Sequence, residues 1–184
     1  MNSQDNLSRR NFMKLTALGL GSMYLFSQCS EPFSKWRFFT NAEARLMDAI
    51  ADQIIPPDEW PGGCESGVTN FIDKQLVGPY VRFQEDYRKG LNAIQDACRM
   101  NYHKKFEQLD WNEQTSFLEL MEAGKMKDEM WKGGFDKTFF SLLRDHSMQA
   151  YYGSPRHGGN KNNVSYKMLQ LDYPLIIGQN RYKG

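Results

Sequence analysis

The chain has 184 residues, with 23 Lys+Arg against 22 Asp+Glu, 14% aromatic residues, three cysteines and three histidines. A net charge this close to zero leaves no electrostatic footprint for nucleic acid, and no apolar run reaches the about 20 residues of a membrane-spanning helix. None of the cysteines lies in a C-x-x-C or C-x-x-C-H pattern, so neither a four-cysteine cluster nor covalent haem attachment is supported.

Residues 1–29 read as an address. Arg9, Arg10 and Lys14 give a positive start, and Leu15 to Phe26 form a short apolar run diluted by Thr16, Gly19, Gly21 and Ser22. Ser8-Arg9-Arg10-Asn11-Phe12-Met13-Lys14 resembles the twin-arginine signal S-R-R-x-F-L-K, with Met13 in the leucine place. That likeness implies the twin-arginine translocase and a periplasmic destination for a protein already folded. Cys29 stands where a lipoprotein would carry its lipid, although Gln28 replaces the small residue expected before it. Lipidation at Cys29, with anchoring to the membrane, and simple cleavage nearby are the two alternatives. Removing the segment with its Arg9, Arg10, Lys14 and Asp5 leaves 20 basic and 21 acidic side chains, in one domain's worth of chain.

A linker over residues 30–39 precedes a helical domain over 40–153. Thr40-Asn41-Ala42-Glu43 fits a capping box, in which the threonine hydroxyl and the glutamate each satisfy a free helix amide. Ala42, Leu46, Ala49, Ile50 and Ile54 then follow at helical spacing until Pro56-Pro57 stops them. "PDEWPGGCES", residues 57–66, is turn-rich and reads as a loop. A short helix is expected from Gly67 to Val77. A long one follows, with Pro79 in its first turn and Phe83, Tyr87, Leu91, Ile94 and Cys98 on one apolar face. Asp110 and Glu113 form a second capping box, ahead of Phe117, Leu118 and Met121, with Gly124 as the C-cap. The last long helix runs from about Phe135 to Tyr152, with Phe139, Leu142, Leu143, His146 and Ala150 inward, and Gly153-Ser154-Pro155 breaks it. No alternating strand pattern is present. The expected fold is all-α, a compact bundle of about five helices. An irregular tail over 154–184 completes it; a segment that long without a helix is often functional or docked on something.

The residues show no catalytic constellation. His103, His146 and His157 are far apart with no ligand-like spacing, no HExxH, Walker or G-x-S-x-G motif occurs, and His146 on an apolar face reads as a satisfied core or boundary residue. Trp60, Tyr151, Tyr152, Tyr166 and Tyr173 fall in loops or at element ends, where aromatic side chains favour contact surfaces or cover their own core. His157-Gly158-Gly159-Asn160 permits positive φ and a sharp turn, and also a close backbone approach by a partner. Cys64 and Cys98 could pair with each other, or one could pair with another chain.

Ile54-Ile55-Pro56, Pro61-Gly62-Gly63, Gly67-Val68 and Phe71-Ile72-Asp73 are similar to motifs of the gluconate 2-dehydrogenase subunit 3 family, as are "YYGSPRHGGN" and Tyr173-Pro174. Tyr166 stands where that family often has Trp, Asp172 where Gly usually precedes Tyr-Pro, and Cys64 near a usually small position. The resemblance implies a small subunit with no cofactor of its own and no catalytic residues. Its partner would be an FAD-binding large subunit of the glucose-methanol-choline type that oxidises a sugar or polyol. A further haem-bearing subunit, such as a c-type cytochrome, would take the electrons. The candidate partner interface comprises Trp60, Cys64, Tyr151, Tyr152, His157, Gly158, Gly159, Asn160, Tyr166, Tyr173 and Pro174. A twin-arginine signal on this subunit would export both chains together. The other functional readings are a lipid-anchored periplasmic scaffold and a self-sufficient periplasmic enzyme.

Overall fold

The structure is a computed structural model, and it describes residues 35–171. The export motif with Arg9, Arg10, Phe12 and Lys14, the lipidation candidate Cys29, and Tyr173 and Pro174 lie outside the described residues.

The fold is all-α: six helices joined by turns and short 3-10 segments, with no strand among the described residues. They are α1 (Asn41–Ile54), α2 (Val68–Leu76), α3 (Gln84–Tyr102), α4 (Trp111–Glu122), α5 (Phe135–Tyr152) and α6 (Val164–Met168). Both expected capping boxes form. The Thr40 side chain accepts from the Glu43 amide and that of Asp110 from the Glu113 amide, while each glutamate reaches back to the cap's own N–H. Gly124 takes positive φ just past α4, as a glycine closing a helix does.

Helix α5 is the hub, packing against all five other helices. Its buried positions, Asp136, Phe139, Phe140, Leu143, His146, Ser147, Ala150 and Tyr151, recur at three- and four-residue steps. They form a face wide enough to meet helices on more than one side. Where α3 crosses it, Gly90 lies against the Phe139 ring, and a Cβ on Gly90 would come within 2.2 Å of a ring carbon. At that position a small residue is a packing requirement that outweighs helix propensity.

Pro79 does not open the long helix. Gly78 and Tyr80 both donate backbone N–H to the Gln75 carbonyl, forming a turn, and a 3-10 segment at Val81–Phe83 precedes α3. The turn sends the Tyr80 ring inward, where it stacks on His146 with centroids 4.1 Å apart. The first half of the tail is also ordered into helical pieces. Two 3-10 turns, Pro155–His157 and Lys161–Asn163, lead into the five-residue α6, which packs on α5.

Two buried polar side chains tie the bundle together. Asp73 of α2 is inside the core and accepts backbone N–H bonds from Arg37, Phe38 and Phe39 at 2.9 to 3.0 Å, fixing the chain's approach to α1. His146 is buried among Tyr80, Phe83 and Tyr87, and its Nδ1 lies 3.0 Å from the Tyr87 hydroxyl. It is the satisfied core histidine that its place on an apolar face suggested.

Burial pushes the His146 pKa down, against a partial opposing pull from Asp145, to about 4. A neutral imidazole is therefore favoured in the folded state, whereas the unfolded chain takes up its proton near pH 6.5. The stability this group contributes is complete above pH 6.5 and is lost as pH falls toward 4. Thermal unfolding followed from pH 7 to 4 should show wild type losing about 2 kcal/mol more than His146→Gln across that window. Parallel curves for the two proteins would contradict this.

Candidate functional site

Two segments far apart in sequence meet at the start of α2. The first is the loop Pro61–Gly67; the second is the stretch Gly153–Asn163 after α5. Asn70 Nδ2 donates to the Gly158 carbonyl at 2.7 Å, the Lys161 amide to the Ser66 carbonyl at 3.0 Å, and the Tyr151 hydroxyl to the Pro61 carbonyl at 3.1 Å. Gly67, at φ +83°, ends the loop, and a Cβ there would sit 2.8 Å from the Gly158 carbonyl oxygen. Gly159 lies so close to the last turn of α5 that its Cβ would be 2.3 Å from the Ala150 carbonyl oxygen. Gly63 makes the same kind of approach to the Ala51 carbonyl oxygen of α1, at 2.4 Å. These glycines are the places where backbone packs directly on backbone.

Asn160 locks the second segment. It is fully buried at φ +44°, donates Nδ2–H to the Gly153 carbonyl at 2.8 Å, and accepts the Ser165 amide on Oδ1 at 3.0 Å. It thereby joins the end of α5 to the start of α6.

The seam borders a cleft of about 600 Å³ whose walls include Lys35, Asp48, Cys64, Glu65, Thr69 and Lys161. A smaller hollow of about 320 Å³ shares Glu65, Lys161 and Asn162 with it and continues past Trp60 and Lys167. Cys64 is half-buried and donates its backbone N–H to Asp52 Oδ1 at 2.8 Å. Burial first, then the carboxylates of Asp48 and Asp52, push its thiol up to about 11, so it stays protonated at neutral pH. Cys98 is buried on α3 and is pushed up to about 12, mainly by burial. Both thiols are free in the structure, with no bond between them. Among the described residues no group of three or more His, Cys, Asp and Glu could hold a metal ion, and no helix is long and apolar enough to cross a membrane.

The sequence model of the gluconate 2-dehydrogenase subunit 3 family matches residues 41–172, a span that contains every described helix. The chain belongs to this family. No curated protein and no solved structure matches it. Membership makes the chain a small subunit of a dehydrogenase complex.

Within this subunit-3 chain the candidate interface residues fall into two groups. Cys64 and Gly158–Gly159 border the cleft, Trp60 lines the adjoining hollow, His157 is exposed beside it, and Tyr152 is exposed at 41%. Tyr151, at 3% exposure, and Tyr166, at 6%, are instead inside the subunit with Asn160, so their side chains serve its own packing. Thr69 was missed by sequence reasoning: it is 1% exposed, lines the cleft, and its hydroxyl has no hydrogen-bond partner among the described residues. Asp73 was singled out only as part of the Phe71-Ile72-Asp73 motif; its core role was not foreseen, although it is a lone carboxylate between Ile72 and Leu76 on an apolar helix.

Replacing Asn160 by Ala orphans the Ser165 amide and the Gly153 carbonyl and leaves an alanine at positive φ. The expected cost is about 3 kcal/mol. Denaturant titration measures that cost, and hydrogen exchange should rise first over residues 153–168. A loss below about 0.5 kcal/mol would show that the segment is held by something else.

Proposed function

We propose that this chain is the cofactor-free small subunit of an FAD-dependent sugar or polyol dehydrogenase of the bacterial periplasm. It stabilises a large flavoprotein subunit of the glucose-methanol-choline type and carries that subunit out of the cytoplasm on its own twin-arginine signal. The observation that carries this reading is the family match over residues 41–172. Ser8-Arg9-Arg10-Asn11-Phe12-Met13-Lys14 ahead of the matched body supports the export half of it.

The division of labour follows from physical constraints. A twin-arginine substrate crosses the membrane folded, so a flavoprotein that binds FAD in the cytoplasm can be exported loaded, provided it is joined to a chain bearing the signal. The joint must survive transport, which calls for an interface of at least standard size, about 1,200 to 2,000 Å². The exposed apolar side chains Val77, Val81, Met148, Tyr152, Leu169 and Leu171 are available to contribute to such a surface. On this reading the FAD lies in the large subunit, and a haem-bearing subunit or carrier receives its electrons. Complex formation, with or without a lipid on Cys29, would hold the assembly at the membrane.

Replacing both Arg9 and Arg10 with lysine in cells that make the whole complex tests co-export. The expected result is retention of both the small subunit and the flavoprotein in the cytoplasm, with dehydrogenase activity lost from the periplasmic fraction. A flavoprotein that still reaches the periplasm would refute export on this signal.

A further inference from the structure

His146 is closed off from water by a piece of surface chain. The imidazole belongs to α5, and the fully buried Tyr87 of α3 meets it with a hydroxyl 3.0 Å from Nδ1. Two further rings lie against it, Tyr80 at 4.1 Å and Phe83 at 5.2 Å between centroids. Both come from the connection between α2 and α3, residues 77–83. Every other residue of that connection, Val77, Gly78, Pro79, Val81 and Arg82, is exposed. The imidazole itself is 4% exposed, so these two half-buried rings are the cover between it and solvent.

Little besides the rings fastens the connection to α5. Its backbone N–H groups bond within the connection or to the Gln75 carbonyl at the end of α2. Its hydrogen bond to α5 among the described residues runs from the Tyr80 hydroxyl to the Gln149 side chain. Bonds of the first kind survive a swing of the whole piece, whereas the ring contacts and the Gln149 bond do not. A surface piece held by so few tertiary contacts is the kind that opens below the global unfolding free energy.

The surroundings of His146 are hostile to a proton. Burial is the largest cause; Arg82 of the connection adds to it, and Asp145 on α5 opposes it only in part. The Tyr80 and Tyr87 phenols, themselves pushed up by burial, stay neutral, and α2 presents the apolar Phe71 to the Tyr80 ring. A charged imidazole enclosed in this way must reach water. Tyr87 and Phe139 belong to the core, so the Tyr80 side is the way out that leaves the core packed.

We infer that residues 77–83 form an acid-operated latch, in which protonation of His146 lifts the Tyr80 and Phe83 rings off α5 while the bundle stays folded. The open form binds the proton with ordinary affinity and the closed form does not. Each pH unit lost between 6.5 and 4 therefore raises the ratio of open to closed about tenfold. Opening adds Phe71 and Phe83 to the exposed Val77 and Val81, so acid enlarges an apolar patch on this face. The latch is a property of this chain and stands apart from its reading as an export subunit.

NMR exchange measurements on the aromatic ring signals of the full-length chain, from pH 7 to pH 5, test the latch. The Tyr80 and Phe83 rings should enter exchange with an open form whose population climbs about tenfold per pH unit, while Tyr87 and Phe139 keep their contacts. His146→Gln should abolish the pH dependence. Gln149→Ala, at an exposed side chain, removes a tether without touching the imidazole. It should raise the open population about threefold at every pH and leave the slope with pH unchanged. Tyr80 and Tyr87 signals changing together would mean that acid unfolds the whole bundle and would overturn the latch. So would an open population that does not respond to pH, or one that responds equally in His146→Gln.

Discussion

The direct packing of backbone on backbone around the Pro61–Gly67 loop and the Gly153–Asn163 stretch is the constraint on which the rest of the structure depends. Gly67 faces the Gly158 carbonyl, Gly159 faces the end of α5, and Gly63 faces α1, each at a distance that admits no Cβ. Hydrogen bonds from Asn70, Tyr151 and Lys161 close the same seam. Without it α2 would lose the wall against which it starts, and the stretch leading to α6 would have no reason to fold back on the bundle. The cleft is bordered by these same segments, so its shape is a by-product of the fastening that makes the domain whole.

The larger polar side chains inside the bundle are satisfied within it. Asp73, Gln114, Asn160 and His146 are buried and each is hydrogen-bonded, to backbone in the first three cases and to a tyrosine hydroxyl in the last. That is the usual economy of a protein interior, where an unmet polar group costs more than a met one contributes. Four buried side-chain atoms depart from it among the described residues: Thr69 Oγ1, Trp131 Nε1, Ser147 Oγ and Ser165 Oγ.

Much of the helical body was legible because its signals are local. The Thr40 and Asp110 capping boxes, and the apolar steps Tyr87–Leu91–Ile94–Cys98 and Phe139–Leu143–His146–Ala150, depend on residues within a few turns of each other. Pro79 misled because its fixed φ suits a helix start, whereas the Gln75 carbonyl captures the Gly78 and Tyr80 amides and makes a turn first. The short helix α6 was hidden because three asparagines at positive φ precede it and five residues are too few to show periodicity. The cleft was hidden for another reason: it is assembled from segments about ninety residues apart, and a threonine's missing partner has no signature in sequence. Tyr151 and Tyr166 stood at positions that suit contact surfaces, yet tertiary packing turned both rings inward.

Direct isolation of the native species tests the central claim that this chain works as one member of a dehydrogenase complex. The protein should be recovered gently from the cell envelope through a tag at its C-terminus, and its mass and bound chains determined by native mass spectrometry. The account predicts an assembly with a much larger polypeptide, in fixed ratio, carrying noncovalent flavin that stays with the large chain when the two are separated. Recovery of the chain as a stable monomer, with no flavoprotein attached at any extraction condition, would contradict it.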